Sequence, residues 1–408
     1  MSEQGTPMRV RIDRPAHGGY GIAASTGDTP TIFVVGGLPG DILDVTITKA
    51  KKNMHFASIT AVVEPGEYRI EDPAHYRCPA AAAGAGCCDF AAVKPDREAE
   101  LKRAIAADQL RHLAGLENLP IDIVPIDSAP GWRTRLRLGV DPQGRAGVRV
   151  ASGHAIVTTA CSAADPRLYA ELEGLRFTPG AEVTAVVDST GQVHITESKR
   201  PARGQRVEGF RTVHAGNRRA TMRVGEDTFT LSPTGFWQAH RDVPEVFSHL
   251  IEQWFAHSGG HVGWDLYGGV GALAPALSRQ LAADGLVVSV DTSKPGASTL
   301  GEKVRMVRGR VDDVVARLPH PDLIVLDPPR TGAGREVIAA CAQAAPTSIL
   351  HFACDPATGA RDIASWIDAG FTPQKLWLVN AFPASHHLEL VVGLRSASTA
   401  PKPTVETD

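Results

Sequence analysis

The sequence predicts an α/β protein: a doubly wound sheet in its C-terminal part, preceded by a small β-barrel and a strand-rich central domain with a cysteine cluster. Three observations carry this. Residues 8–63 alternate apolar and polar positions in short runs separated by glycine turns, the pattern of a small barrel. Residues 131–223 are again strand-rich, and basic. From about residue 227, strands and helices alternate, the signature of a doubly wound sheet.

In chain order, "VRIDRP", "GIAAS", "TIFVVGG", "ILDVTITKAKK" and "HFASITAVVEP" are the expected barrel strands. A helix is expected over Asp96–Ala114, with Leu101, Ile105, Ala106, Leu110 and Leu113 on one face and Gly115 as its stop. Expected strands of the large sheet are Gly263–Leu266, Leu286–Asp291, Val304–Arg308, Leu323–Asp327, Ser348–Cys354, Lys375–Asn380 and Glu389–Leu394. The domains are then 1–64, 65–225 and 226–395, with a disordered Pro/Ser/Thr-rich tail over 396–408.

A chain of 408 residues exceeds one compact core, which agrees with several domains. A net charge of −3 argues against indiscriminate nucleic-acid binding but leaves room for local patches. No apolar run reaches membrane-spanning length and the N-terminus lacks a signal-peptide pattern, so a cytoplasmic protein with no membrane association is expected, as a monomer. In that compartment the six cysteines are thiols, metal ligands or catalytic groups.

Two basic stretches stand out. Arg133, Arg135, Arg137, Arg145 and Arg149 face the single acid Asp141; Lys199, Arg200, Arg203, Arg206, Arg211, Arg218, Arg219 and Arg223 face Glu208 alone. A solvated sheet face explains either one, but two in an acidic chain suggest an anion-binding surface.

"GWDLYGGVGALAPALS" reads strand, glycine turn, helix. Gly268, Gly269 and Gly271 allow a tight turn and close approach of a ligand. The next strand ends in Asp291, an acid suited to a ribose with two free hydroxyls. These signals alone leave NAD and S-adenosylmethionine open. "LIVLDPPRTGAG" favours the methyl donor, because an acid and two prolines after the fourth strand make a rigid wall beside a methyl-donor pocket.

Together with "PAHGGYGIA", "FVVGGLPGD", "SPTGFWQAH", "ACDPATGARD" and "HHLELVVGL", these segments resemble the bacterial 5-methyluridine (uracil-C5) RNA methyltransferase family with an N-terminal TRAM domain, over nearly the whole chain to about residue 395. The resemblance implies a TRAM barrel, a central domain carrying an iron–sulfur cluster, and a class I (Rossmann-like) methyltransferase domain. It further implies S-adenosylmethionine as methyl donor, with Gln238, Asp265, Tyr267, Gly269, Gly271, Asp291 and Asp327 around it. It assigns Cys354 as nucleophile and Glu389 as base. C5 of uracil is a poor nucleophile; thiolate addition at C6 creates carbanion character at C5, and a base must later remove the C5 proton. The thiolate needs a cation or hydrogen-bond donors nearby, for which Arg330 and Arg361 are candidates. Asp355, which stands where the family usually has asparagine, would raise the thiol pKa if close.

Cys78, Cys87, Cys88 and Cys161 form a four-thiolate set that fits [4Fe–4S] or zinc, and the resemblance favours iron–sulfur. Here, however, two ligands are adjacent where the family spaces them apart. Two more departures concern the donor site: the connection from Asp291 to Arg305 is short for a helix, and Ala272 replaces a common asparagine. The implied partner is structured RNA, ribosomal or transfer, with Trp132, Arg133 and Arg135 as candidate contacts. Rival readings are an RNA-binding or assembly factor without turnover, a NAD-dependent oxidoreductase, and an exocyclic-amine methyltransferase.

Overall fold

The computed structural model describes residues 5, 7–23, 30–151, 153–199, 210–256, 258–293, 297–298 and 300–396. Arg200, Arg203, Arg206 and Glu208 of the second basic stretch lie outside these residues, as does the tail from 397.

Contacts group the chain into two units that exchange segments, rather than into consecutive stretches cut at 64/65 and 225/226. The first comprises 1–106, 127–218 and 380–387; the second comprises 107–126, 219–379 and 388–408.

In the first unit, Pro7–Ala16, Tyr20–Ala23, Thr31–Val35, Met54–Glu64 and Ile42–Lys51 close a barrel in that spatial order. Alternation puts Val10, Ile12, Val34, Leu43, Val45 and Ile47 inside. Gly21 has no room for a side chain, since a Cβ there would lie 2.5 Å from the carbonyl of Gly37. Just beyond the barrel, buried Arg69 closes on buried Asp41 at 2.7 Å and donates to the carbonyl of Gly36, so the charge pair is fully hydrogen-bonded. The central six-stranded sheet runs Arg211–Ala215, Val193–Ser198, Glu182–Val187, Arg135–Val140, Ala146–Arg149, Ile156–Val157. Leu136, Leu138, Val183, Ala185 and Ile195 fill its core.

The helix Pro95–Ala114 ends at Gly115, whose φ of +67° suits glycine. Its buried Glu98 pairs with buried Lys102 at 2.8 Å and with Arg77. Lys102 also donates to Asn380 Oδ1 (2.6 Å) and to the carbonyl of Phe382, while Glu98 accepts from the backbone N–H of Ala384. The charges are therefore compensated, and they tie the 380–387 segment to this helix.

The second unit is built on eight strands in the order Val304–Arg308, Leu286–Asp291, Val262–Leu266, Leu323–Leu326, Ser348–Ala353, Glu389–Ser396, Phe371–Val379, Ile121–Val124. Pairing is parallel except on both sides of Glu389–Ser396, which is antiparallel to its neighbours. The central strand Leu323–Leu326 is buried throughout, as a sheet covered on both faces requires. Ile121–Val124 was not expected as a strand. The short connection after Asp291 holds no helix among the described residues; Ala297–Ser298 instead pairs with Phe229 and Thr230 in a small sheet with Ala220–Val224. The helix after the glycine turn is only Ala274–Ser278. No described helix is long and apolar enough to cross a membrane.

Candidate active site and cysteine cluster

Strand order reverses between Val262–Leu266 and Leu323–Leu326, and ligands of open α/β sheets bind outside the carboxyl ends of the strands at such a point. Here the first strand ends in the turn Tyr267–Gly271. Tyr267 adopts φ +64°, as do few non-glycine residues, and Gly269 and Gly271 follow at +60° and +83°. A Cβ on Gly268 would lie 2.2 Å from Asp265 Oδ2 and 2.4 Å from Ser289 Oγ, whereas one on Gly269 would meet nothing within 4 Å. The turn thus presents open backbone on one side and packs tightly on the other. Gly269 N–H donates to Asp291 Oδ2 at 3.1 Å, which joins the turn to the end of the second strand.

Cavities lie on both sides of Tyr267. One is lined by Phe236, Gln238, Gly268, Gly269, Ala272 and Asp327 among others. The other is lined by Asp291, Arg310, Asp312, Pro329 and Thr331 among others. Gln238 reaches the first cavity because Trp237 is buried against Phe229, and its Nε2 donates to Asp327 Oδ2 at 3.2 Å. Asp265 is buried beneath the turn. Ser289 Oγ donates to its Oδ2 at 2.7 Å, while its Oδ1 has no partner among the described residues. Burial, with Asp291 adding, pushes its carboxyl up to about 6.

Cys354 follows the strand Ser348–Ala353, half-buried at its carboxyl end. Glu389 opens the antiparallel neighbour, so it stands at the same end of the sheet. The register pairs Phe352 with Val391 and Ala353 with Leu390, and continued by one residue it sets Cys354 opposite Glu389. Glu389 is 3% exposed and its Oε2 has no partner among the described residues. Burial holds its carboxyl well above the usual range, Asp327 adds to this, and Arg330 opposes it. Asp327 is pushed up to about 7 by enclosure of its carboxylate and by Asp265. Burial pushes the Cys354 thiol up to about 12; Glu389, Asp327 and Asp355 add to that, and Arg330 pulls down.

Asp355 has a structural task. It caps the helix Pro356–Asp368, accepting from the N–H groups of Ala357 (3.0 Å) and Thr358 (2.9 Å). That helix also organises the Arg330 loop. Thr358 Oγ1 donates to the carbonyl of Arg330 at 3.0 Å, and Asp362 accepts from the N–H groups of Ala333 and Gly334. Thr358 and Asp362 were not singled out in the sequence; their nearness to Cys354 in "CDPATGARD" was the available signal. Arg361 is exposed on the same helix, and Arg330 is the cation acting on the thiol.

In the first unit the sulfurs of Cys78, Cys87, Cys88 and Cys161 lie within 4.8 Å of one another. Ala80, Ala85, Ala91, Ala163 and Trp132 pack around them.

Residues 1–60 match the TRAM domain family. The chain is 42% identical to an uncharacterized RNA methyltransferase of Corynebacterium glutamicum, over 95% of this chain and 96% of that one. It belongs to the RNA methyltransferase family. An uncharacterized RNA methyltransferase of Streptomyces coelicolor is 30% identical over 98% and 94% of the two chains. A 23S rRNA (uracil(1939)-C(5))-methyltransferase of Alkalilimnicola ehrlichii is 27% identical over 94% and 95%. The fold matches that of Pyrococcus abyssi tRNA (uracil-54, C5)-methyltransferase, solved with S-adenosyl-L-homocysteine, with a TM-score of 0.69, 17% identity and coverage of 95% and 100%.

In this RNA methyltransferase, Gln238, Asp265, Tyr267, Gly269, Gly271, Asp291 and Asp327 lie at or against the glycine turn and its cavities, and Cys354 and Glu389 are near enough to Asp327 to feel its charge. The expected RNA contacts fare differently. Trp132 is 3% exposed and packs on the cysteine cluster and edge-on to Phe382, so it cannot stack on a base. Arg133 is half-buried, donating to the carbonyl of Arg135 at 3.0 Å, and burial beside Arg137 pulls Arg135 down to about 10. Arg145 is held by Asp141 at 2.8 Å. The sequence reading overlooked a different surface: on the barrel, half-exposed Tyr20, Phe33 and Phe56 cluster, with Lys51 5.8 Å from the Phe56 ring.

Proposed function

We propose that this RNA methyltransferase forms 5-methyluridine in a structured RNA, ribosomal or transfer, using S-adenosylmethionine, with Cys354 as nucleophile and Glu389 as base. The observation that carries the reading is a thiol opposite a buried carboxylate, one of whose oxygens has no partner among the described residues, at the carboxyl end of the sheet near Asp327. Neither an amine methyltransferase nor an assembly factor needs that pair. The uracil-C5 activity of the Alkalilimnicola relative supports uracil C5 as the target.

The residues present fit the methyl donor. Asp291, already oriented by Gly269 N–H, would accept from ribose hydroxyls. The open backbone at Gly269 would admit the donor to the cavity that Gln238 and Asp327 also line. When bound, S-adenosylmethionine supplies an electrophilic methyl group on a sulfonium.

The chain's own residues do the rest. Cys354 Sγ adds to C6 of an extruded uracil, leaving C5 nucleophilic. Arg330 stabilises the developing thiolate and, with it, the negative charge that passes to the ring. Glu389, whose surroundings favour its protonated form, takes the C5 proton on its carboxylate after methylation and so permits elimination of the Cys354 thiolate. The barrel's Tyr20–Phe33–Phe56 face with Lys51 offers stacking and cationic contact to the RNA.

With RNA containing 5-fluorouridine and the methyl donor, a denaturation-resistant adduct is expected, because fluorine at C5 cannot leave as a proton. Cys354→Ala abolishes it. Glu389→Gln accumulates the corresponding methylated adduct on ordinary uridine. Adduct formation undiminished in Cys354→Ala would overturn the assignment. Mapping 5-methyluridine lost from ribosomal and transfer RNA in a deletion strain identifies the substrate.

A further inference from the structure

The four-thiolate site has the dimensions of a holder for one ion. Cys78 Sγ lies 3.8 Å from Cys87 Sγ and 3.8 Å from Cys161 Sγ, and Cys88 Sγ lies 3.5 Å from Cys161 Sγ. Four thiolates bound at about 2.3 Å to a single tetrahedral ion lie about 3.8 Å from each other. In a [4Fe–4S] cube each thiolate binds a different iron, and the irons and bridging sulfides stand between the ligands, so the sulfurs must spread well beyond that spacing.

The local chain agrees with the smaller occupant. Cys87 and Cys88 are neighbours in sequence, and both sulfurs still converge on those of Cys78 and Cys161. Cys78 ends an extended segment, and the short turn of helix Pro79–Ala82 brings the chain back to the pair. Gly84 takes φ +91°, and a Cβ on Gly86 would sit 2.9 Å from the Cα of Ala151, so the ligand loop is pressed against its neighbour with no slack for expansion. Cys78, Cys88 and Cys161 are 0–4% exposed among alanines and Trp132. All four ligand positions come from the protein, three of them buried and Cys87 half-buried, which is the character of a structural site.

We propose that this cluster binds one zinc ion in place of the iron–sulfur cluster that the family resemblance implies. The ion joins the 78–88 loop to the 161–165 turn, where Cys161 N–H already donates to Tyr169 Oη at 3.1 Å and Asp165 caps the helix Pro166–Leu172. The Cys88–Ala91 turn is in turn bonded to the 380–387 segment, through Phe90 N–H to the carbonyl of Ala384 and through Asp89 to the N–H of His386 at 2.8 Å. The site therefore organises three separate stretches of the first unit without electron transfer.

The test is elemental analysis of the full-length chain, purified anaerobically without chelators from cells supplied with both iron and zinc. One zinc per chain and no visible absorbance are expected. Exchange for cobalt(II) should give the intense visible bands of a tetrahedral thiolate site, lost in Cys161→Ser. Iron with acid-labile sulfide, a single iron, or metal-free folded protein would each overturn the proposal. None of these results touches the Cys354 assignment, which the fluorouridine adduct tests separately.

Discussion

Cys354 is a thiol held back from ionising. Burial and the charges of Glu389, Asp327 and Asp355 push it up to about 12, and Arg330 pulls it down. The attacking species is the thiolate, so at neutral pH only a small fraction of the free enzyme is reactive. A thiol with a raised pKa gains thiolate tenfold for each pH unit below that pKa, so adduct formation with 5-fluorouridine RNA should rise about tenfold per unit between pH 7 and 9. Arg330→Met should lower the rate across that range while leaving the slope. Stopped quench of the adduct at saturating RNA measures both. A flat profile would mean instead that the thiol passes its proton to a neighbouring carboxylate within the site. Of the groups named, Asp355 contributes least to the shift; its carboxylate caps the following helix.

At the scale of elements, the turn Tyr267–Gly271 joins strand order to chemistry. Its glycines are not equivalent. Gly268 faces inward, with Asp265 Oδ2 and Ser289 Oγ where a side chain would go; Gly269 faces open space but has φ +60°. Gly268→Ala must displace a buried carboxylate that already lacks one partner, and overpacking of this kind costs about 1–3 kcal/mol. Gly269→Ala costs about 1–2 kcal/mol for the left-handed conformation alone. Urea unfolding should therefore show both variants destabilised. Only Gly269→Ala should keep Asp265 and Ser289 in register, and a partial donor affinity with them. Equal donor affinity in the two variants, measured by calorimetry, would contradict this division of labour. The triglycine pattern was legible in the sequence, but which glycine is pressed from behind was not, since Ser289 lies on another strand.

For the whole molecule, what was legible follows from how local each signal is. Leu286–Asp291 forms over the expected residues, because a continuous apolar run bounded by turns marks a buried parallel strand, and Val304–Arg308 does so as a half-exposed edge strand in which apolar and basic residues mix. The Pro95–Ala114 helix begins one residue early and ends at its glycine. The burial of Trp132 is not legible locally, because an aromatic beside arginines has the composition of a binding surface, while its neighbours include Cys161 and, edge-on, Phe382, 250 positions away in the chain. Ile121–Val124 was missed for the same reason: four residues carry no periodicity, and their partner is Leu376–Val379. These nonlocal pairings decide how the chain divides. A fragment cut at the sequence-derived boundaries, 226–395, would lose Ala220–Val224, the partner of Asp227–Leu231, and would leave Phe371–Val379 as an uncovered sheet edge. Exposed edges of this kind recruit other chains. The 226–395 fragment should therefore associate and precipitate where the full-length chain does not. A polypeptide with 107–126 linked ahead of 219–396 should recover a defined size on gel filtration. If 226–395 alone were monodisperse and unfolded cooperatively, the exchanged strand would be dispensable, and the unit would be contiguous in sequence after all.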